Sequence, residues 1–119
     1  MNEKKRQITF IVPAYNEESN IRRFYEETNK ATLGLNNYTC EFVFIDDGSN
    51  DSTWQVISEI SNLNSAVKGL RLSRNFGKEM ALTAGAIEWT KFSDAVIFMD
   101  ADLQHPPSVI PKLIQQWEL

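Results

Sequence analysis

The chain has 119 residues, 42% of them hydrophobic and 24% charged, which is enough apolar surface for one domain with a real core. Its formal charge of −4 is the wrong sign for a surface that neutralises phosphate backbones, so nucleic acid is a poor candidate partner. A single cysteine, Cys40, cannot close a disulfide within the chain, no apolar run approaches the roughly 18 residues that cross a bilayer, and the opening MNEKKRQ lacks the apolar centre of a signal peptide.

Taken in chain order, strands alternate with helices. Ile8–Val12 is an apolar strand that Pro13, with no N–H for a ladder, is expected to end. Ile21, Phe24 and Tyr25 recur at helical spacing, predicting a helix over about residues 17–33 with Asn16 as its N-cap and Gly34 as its stop. The run EFVFI, residues 41–45, reads as a second strand with Cys40 as a small buried residue beside it. Asp51 or Ser52 then opens a helix whose inner face is Trp54, Ile57 and Ile60. A third strand over residues 67–72 leads through SRNFG into a helix from about Lys78 to Thr90, with Met80, Leu82 and Ile87 read as core, and Gly77 and Gly85 as a turn and a close contact. The fourth strand, residues 95–99, leads through DADLQH to a last helix over about residues 107–119, where proline is tolerated in the first turn. The order βαβαβαβα predicts an α/β fold with a mostly parallel sheet and helices on both faces.

In an open parallel sheet, ligands lie beyond the carboxyl ends of the strands. Four polar clusters fall at that edge: PAYNEE, DDGSND, SRNFGK and DADLQH. Asp100 and Asp102 are spaced i, i+2, so in extended chain they project to one side about 6–7 Å apart. Such a pair repels itself unless a cation lies between, and hard oxygen ligands favour Mg²⁺ or Mn²⁺. Gln104 can offer an amide oxygen to the same ion or to a ligand. His105, before two prolines, is read as loop packing. Gly48 allows a turn that a side chain would obstruct, and the residues after it cap the next helix, but capping does not account for the adjacent carboxylates Asp46 and Asp47. A carboxylate at that strand end accepts hydrogen bonds from a ribose hydroxyl or a base N–H. Arg74 and Lys78, at the start of a helix, make a corner suited to phosphate.

Together IVPAYNEESNI, EFVFIDDGSNDST, LSRNFGKEMALTAG and VIFMDADLQHPP closely resemble the N-terminal, Rossmann-like nucleotide-binding half of family 2 inverting glycosyltransferases of GT-A fold. Within that family they are most similar to the branch that acts on polyprenyl phosphates, the dolichol-phosphate mannose synthase-like and undecaprenyl-phosphate glucosyltransferase-like enzymes. The resemblance covers residues 8–119 and implies strand order 3-2-1-4. It makes Pro13, Tyr15 and Glu17 walls of a base and ribose pocket, pairs Asp46 with the base edge, and sets Asp47 nearby. Arg74 and Lys78 lie near a diphosphate, and Asp100, Asp102 and Gln104 hold the metal, with the two aspartates as the catalytic pair. The donor it implies is a nucleoside-diphosphate hexose, with UDP preferred, and the acceptor a polyprenyl phosphate.

Members of that family continue into an acceptor-binding region and, in the lipid-linked branch, membrane spans. The expectation is therefore that residues 1–119 are the donor-binding part, soluble and cytoplasmic as given, of an enzyme at the cytoplasmic face of a membrane, and that they transfer little sugar alone. The strand at residues 95–99 is expected to be an apolar edge through which copies self-associate. Two readings of other classes fit less well. A phospho-receiver domain wants its acidic pair after the first strand and a lysine after the last, and a dinucleotide-binding domain wants a glycine-rich turn where PAYNEE has none. A non-catalytic nucleotide-binding module remains as the alternative.

Overall fold

The computed structural model describes residues 5–102 and 106–118. Four parallel strands, β1 (Arg6–Ala14), β2 (Tyr38–Asp46), β3 (Val67–Arg71) and β4 (Ala95–Phe98), form one sheet in the order β3-β2-β1-β4. The helices are α1 (Ile21–Thr32), α2 (Thr53–Leu63), α3 (Lys78–Trp89) and α4 (Ile110–Glu118), the last preceded by a 3₁₀ turn at Pro107–Val109. Fold class and strand order are those the sequence implied.

The central strands β1 and β2 are covered on both faces, which is why they read as nearly unbroken apolar runs. Side chains alternate across a strand, so Ile8, Phe10, Val12, Phe42 and Phe44 pack with Phe24, Ile57, Ile110 and Ile114 from α1, α2 and α4. Ile11, Val43 and Ile45 face the other way, against Ala81 of α3. Phe10 and Phe42 stack across the strand pair with ring centroids 5.0 Å apart. Cys40 is half-buried at the margin of the first cluster, and burial pushes its thiol pKa up.

Several local expectations are corrected. Pro13 does not end β1 but lies within it, in register with Ile45. Odd-numbered residues of β1 turn their peptide groups toward β4: Asp94 N–H donates to Gln7 O, and Met99 N–H to Ile11 O. The pairing with β4 stops at Ile11↔Phe98, so the missing N–H of Pro13 faces no partner strand and costs nothing. Asn16 is not an N-cap, because the helix starts later, at Ile21, and Asn16 instead adopts the left-handed conformation with φ 53°. Met80 and Ile87 are exposed rather than core. The reason is that α3 sets its smallest residues on the sheet, where a Cβ on Gly85 would stand 2.8 Å from Ile11 Cγ2. That close approach turns Met80 and Ile87 outward.

Candidate functional site

Because all four strands run the same way, their following loops gather on one rim, where Ala14, Asp46 and Arg71 end β1, β2 and β3 side by side. Two clefts open there and share Tyr15 and Asn75. The first, about 390 Å³, is lined by Pro13, Tyr15, Glu17, Asp47, Asn75, Lys78, Asp100 and Asp102 among others. The second, about 600 Å³, is lined by Tyr15, residues 48–50 and residues 71–75, Arg71 and Arg74 included.

The loops are stapled to one another. Asn16 N–H donates to Ser49 Oγ at 2.9 Å, Asn50 N–H to Asn16 Oδ1 at 2.8 Å, and Glu17 N–H to Thr53 Oγ1 at 2.8 Å. The left-handed Asn16 thus ties the loop after β1 to the loop after β2, and asparagine tolerates that conformation better than most residues. Asp51 accepts from Thr53 N–H at 2.9 Å and opens α2. Burial works against its charge, but hydrogen bonds from the Thr53 hydroxyl and from the Thr53, Glu18 and Asp51 amides together outweigh it and hold the carboxyl below its ordinary range.

The two adjacent aspartates have different surroundings. Asp47, almost wholly buried, accepts from Phe76 N–H at 2.9 Å, from Gly77 N–H at 3.0 Å and from Asn75 Nδ2 at 3.1 Å. Its carboxylate therefore holds the loop that starts α3, even though the residue also lines the first cleft. Asp46 is fully buried. Its Oδ1 accepts from Ser49 N–H at 3.0 Å, while Oδ2 has no hydrogen-bond donor among the described residues. Arg71 Nε is 3.6 Å from Oδ2, an electrostatic neighbour beyond hydrogen-bonding distance. A buried carboxylate oxygen left without a donor is costly. Ser49 and Arg71, which flank it, both line the second cleft.

At the opposite end, Lys78 Nζ lies 2.5 Å from Asp100 Oδ1. Asp102, exposed, shares the cleft with them. Gln104 and His105 lie outside the described residues. Among the described residues no three His, Cys, Asp or Glu side chains group as a complete metal shell. Two carboxylates are nevertheless the set that suits Mg²⁺ or Mn²⁺ when a bound phosphate supplies further oxygens. The cleft already gathers one positive group, Lys78, onto Asp100, so the donor set fits a divalent ion.

Of the residues singled out from sequence, Pro13, Tyr15, Glu17, Asp47, Lys78, Asp100 and Asp102 share the first cleft. Arg74 lines the second, its guanidinium 4.7 Å from the Phe76 ring centroid. Arg71, Asn75 and Ser49 were missed. For Arg71 a signal existed: a charged residue closes an otherwise apolar strand end beside Asp46.

A family model described as Glycosyl transferase family 2 matches residues 9–119. The chain is 45% identical over 112 residues to a bactoprenol glucosyl transferase of Shigella phage SfX, which covers 94% of this chain and 36% of that protein. It is 44% identical over 112 residues to a prophage bactoprenol glucosyl transferase homolog of Escherichia coli (strain K12), with coverage of 94% and 36%. The chain thus spans about a third of the length of these curated relatives. Among solved structures, S. aureus TarS 1–349 in complex with UDP superposes with a TM-score of 0.64 at 25% identity, over 81% of this chain and 27% of that one. The mannosyltransferase PcManGT from Pyrobaculum calidifontis, in complex with GDP-Man and Mn²⁺, shares the fold with a TM-score of 0.67 at 22% identity, over 83% and 28%.

Proposed function

Since the chain belongs to glycosyl transferase family 2, we propose that residues 1–119 form the donor-binding part of an enzyme that transfers a hexose, with inversion, from a nucleoside-diphosphate sugar to a polyprenyl phosphate. The observation that carries this reading is the pairing of two unlike ends on one rim. Asp46 presents a buried oxygen in need of a donor behind one cleft, and the Asp100–Asp102 pair lines the adjoining one. With Arg71 displaced from it, Asp46 Oδ2 would accept from a base N–H in the second cleft, Tyr15 and Glu17 would flank the ribose, and Arg74 and Lys78 would meet the phosphates. Asp100 and Asp102, with Gln104, would hold Mg²⁺ or Mn²⁺. The ion's chemistry there is Lewis acidity toward the leaving diphosphate, worth several kcal/mol. A polyprenyl phosphate is already anionic near neutral pH and needs no base from the protein, and the relatives named as bactoprenol glucosyl transferases support that acceptor. UDP is preferred as the nucleotide because the TarS structure, the nearer of the two solved neighbours in sequence, holds UDP. No helix among the described residues is long and apolar enough to cross a membrane. A polyprenyl-phosphate acceptor would put the whole protein at a membrane surface, which is part of the same proposal.

The test is calorimetric titration of UDP and of GDP with Mn²⁺ and again with chelator. UDP is expected to bind at least about tenfold more tightly with the ion, an effect of roughly 1.4 kcal/mol or more, and Asp102→Ala is expected to erase the difference. Equal affinity with and without metal, unchanged in Asp102→Ala, overturns the metal assignment.

The outer edge of β4 carries a second expectation. Phe98 is 52% exposed, and a largely apolar groove beside it is lined by Leu82, Ile97, Met99 and Leu113. Residues 1–119 produced alone are proposed to pair through this edge with a second copy. Sedimentation at micromolar concentration should show a dimer, and Phe98→Lys should dissolve it. A species that stays monomeric on concentration refutes the pairing.

A further inference from the structure

We propose that Lys78 is a displaceable placeholder for the metal, whose departure from Asp100 couples binding of the ion to binding of the nucleotide. The proposal rests on the donor-site reading above and adds an order to it.

Lys78 is the first residue of α3. A cation is poorly placed there, since helix N-termini favour negative charge. Its backbone position is nonetheless held firmly: the preceding Phe76 and Gly77 donate their N–H groups to buried Asp47 at 2.9 and 3.0 Å. From that anchored start the side chain reaches across the cleft to Asp100, with Nζ 2.5 Å from Oδ1. The ammonium therefore neutralises one of the two carboxylates that the divalent ion would use.

Three consequences follow from charge and reach. A divalent ion arriving alone must displace Lys78 from Asp100, which weakens its binding. A nucleoside diphosphate arriving without metal meets an ammonium already engaged. When both arrive together, the ion takes Asp100 and the freed ammonium finds phosphate oxygens, a suitable partner for a flexible point charge on a four-carbon stem. Each ligand then raises the affinity of the other by the same factor, as linkage requires. The lysine side chain is 59% exposed and Asp100 28%, so the competition is modest, and the energy of a partly exposed pair corresponds to a change of about threefold in ion affinity.

The experiment measures Mn²⁺ binding by the resonance signal of the free ion, with and without UDP, for the wild type, Lys78→Gln and Lys78→Arg. Circular dichroism checks that all three are folded. Without UDP, Lys78→Gln should bind Mn²⁺ about threefold more tightly than the wild type, whereas Lys78→Arg, which keeps the charge, should stay within about twofold of it. The factor by which UDP tightens Mn²⁺ binding should shrink in Lys78→Gln. An unchanged or weaker Mn²⁺ affinity in Lys78→Gln, or equal tightening in Lys78→Arg, overturns the exchange while UDP binding by the wild type keeps the donor reading intact. No UDP binding by the wild type with or without Mn²⁺ removes the donor reading and the exchange with it.

Discussion

Asp47→Ala is expected to lower stability by about 2–4 kcal/mol, the scale of losing several hydrogen bonds to one buried charge. The variant removes the carboxylate acceptor of three donors at once: the N–H groups of Phe76 and Gly77 and the Asn75 side chain. Asn75 keeps only its bond to the Asp47 carbonyl, at 3.2 Å. Because these residues deliver both Lys78 and the shared wall of the two clefts, UDP binding with Mn²⁺ should fall together with stability. Asp47→Asn retains the shape and one acceptor oxygen but turns an NH₂ toward other donors, so it should lie between. Urea denaturation and exchange of the Phe76 and Gly77 amides read the loop directly. The competing reading, in which Asp47 touches the nucleotide, makes a different forecast: an Asp47→Asn protein as stable as the wild type, with protected loop amides, that has lost only its affinity for UDP.

Asp47 also marks where sequence reasoning reached and where it stopped. The alternation of apolar runs with helical spacing placed the four strands and four α-helices among the described residues to within a few positions at their ends, since β1 and β2 are buried on both faces and a motif at each strand end must then fall on one rim. That two neighbouring aspartates divide the work, one holding a loop and one left with an open oxygen, depends on whether residues 75–77 donate to Asp46 or to Asp47. No local pattern encodes that choice. Asn16 escapes a local pattern for a related reason: its side chain is used by Asn50 on another loop rather than by its own helix. Met80 and Ile87 look like core by composition, and only the distance between α3 and the sheet, set by Ala81 and Gly85, shows that they are outside. For Pro13 the missing N–H alone suggests a strand end, but the side on which that N–H would point decides the matter.

Gly48→Ala is expected to do more damage than any other single methyl in the site, because two independent penalties fall on one atom. With φ at +71°, the residue adopts a conformation that costs an ordinary side chain about 1–2 kcal/mol. The added Cβ would also stand 2.2 Å from Arg74 C and 2.4 Å from Asn75 N. Both are backbone atoms, so no rotamer change relieves the clash, and the loop after β3 must move away from the loop after β2. That movement pulls Asn75 from Asp47 and opens the wall common to the two clefts. Destabilisation of about 3–5 kcal/mol is expected, within the range of the most disruptive core changes, with UDP affinity down by more than about tenfold, or 1.4 kcal/mol. Gly34→Ala is the matched control, since its Cβ meets nothing within 4 Å, and its stability should stay within about 0.5 kcal/mol of the wild type. Urea midpoints and UDP titrations of the pair decide the matter. A Gly48→Ala protein as stable and as avid as its control would mean that the two loops do not touch in solution, and a site assembled across them could not then be the one described.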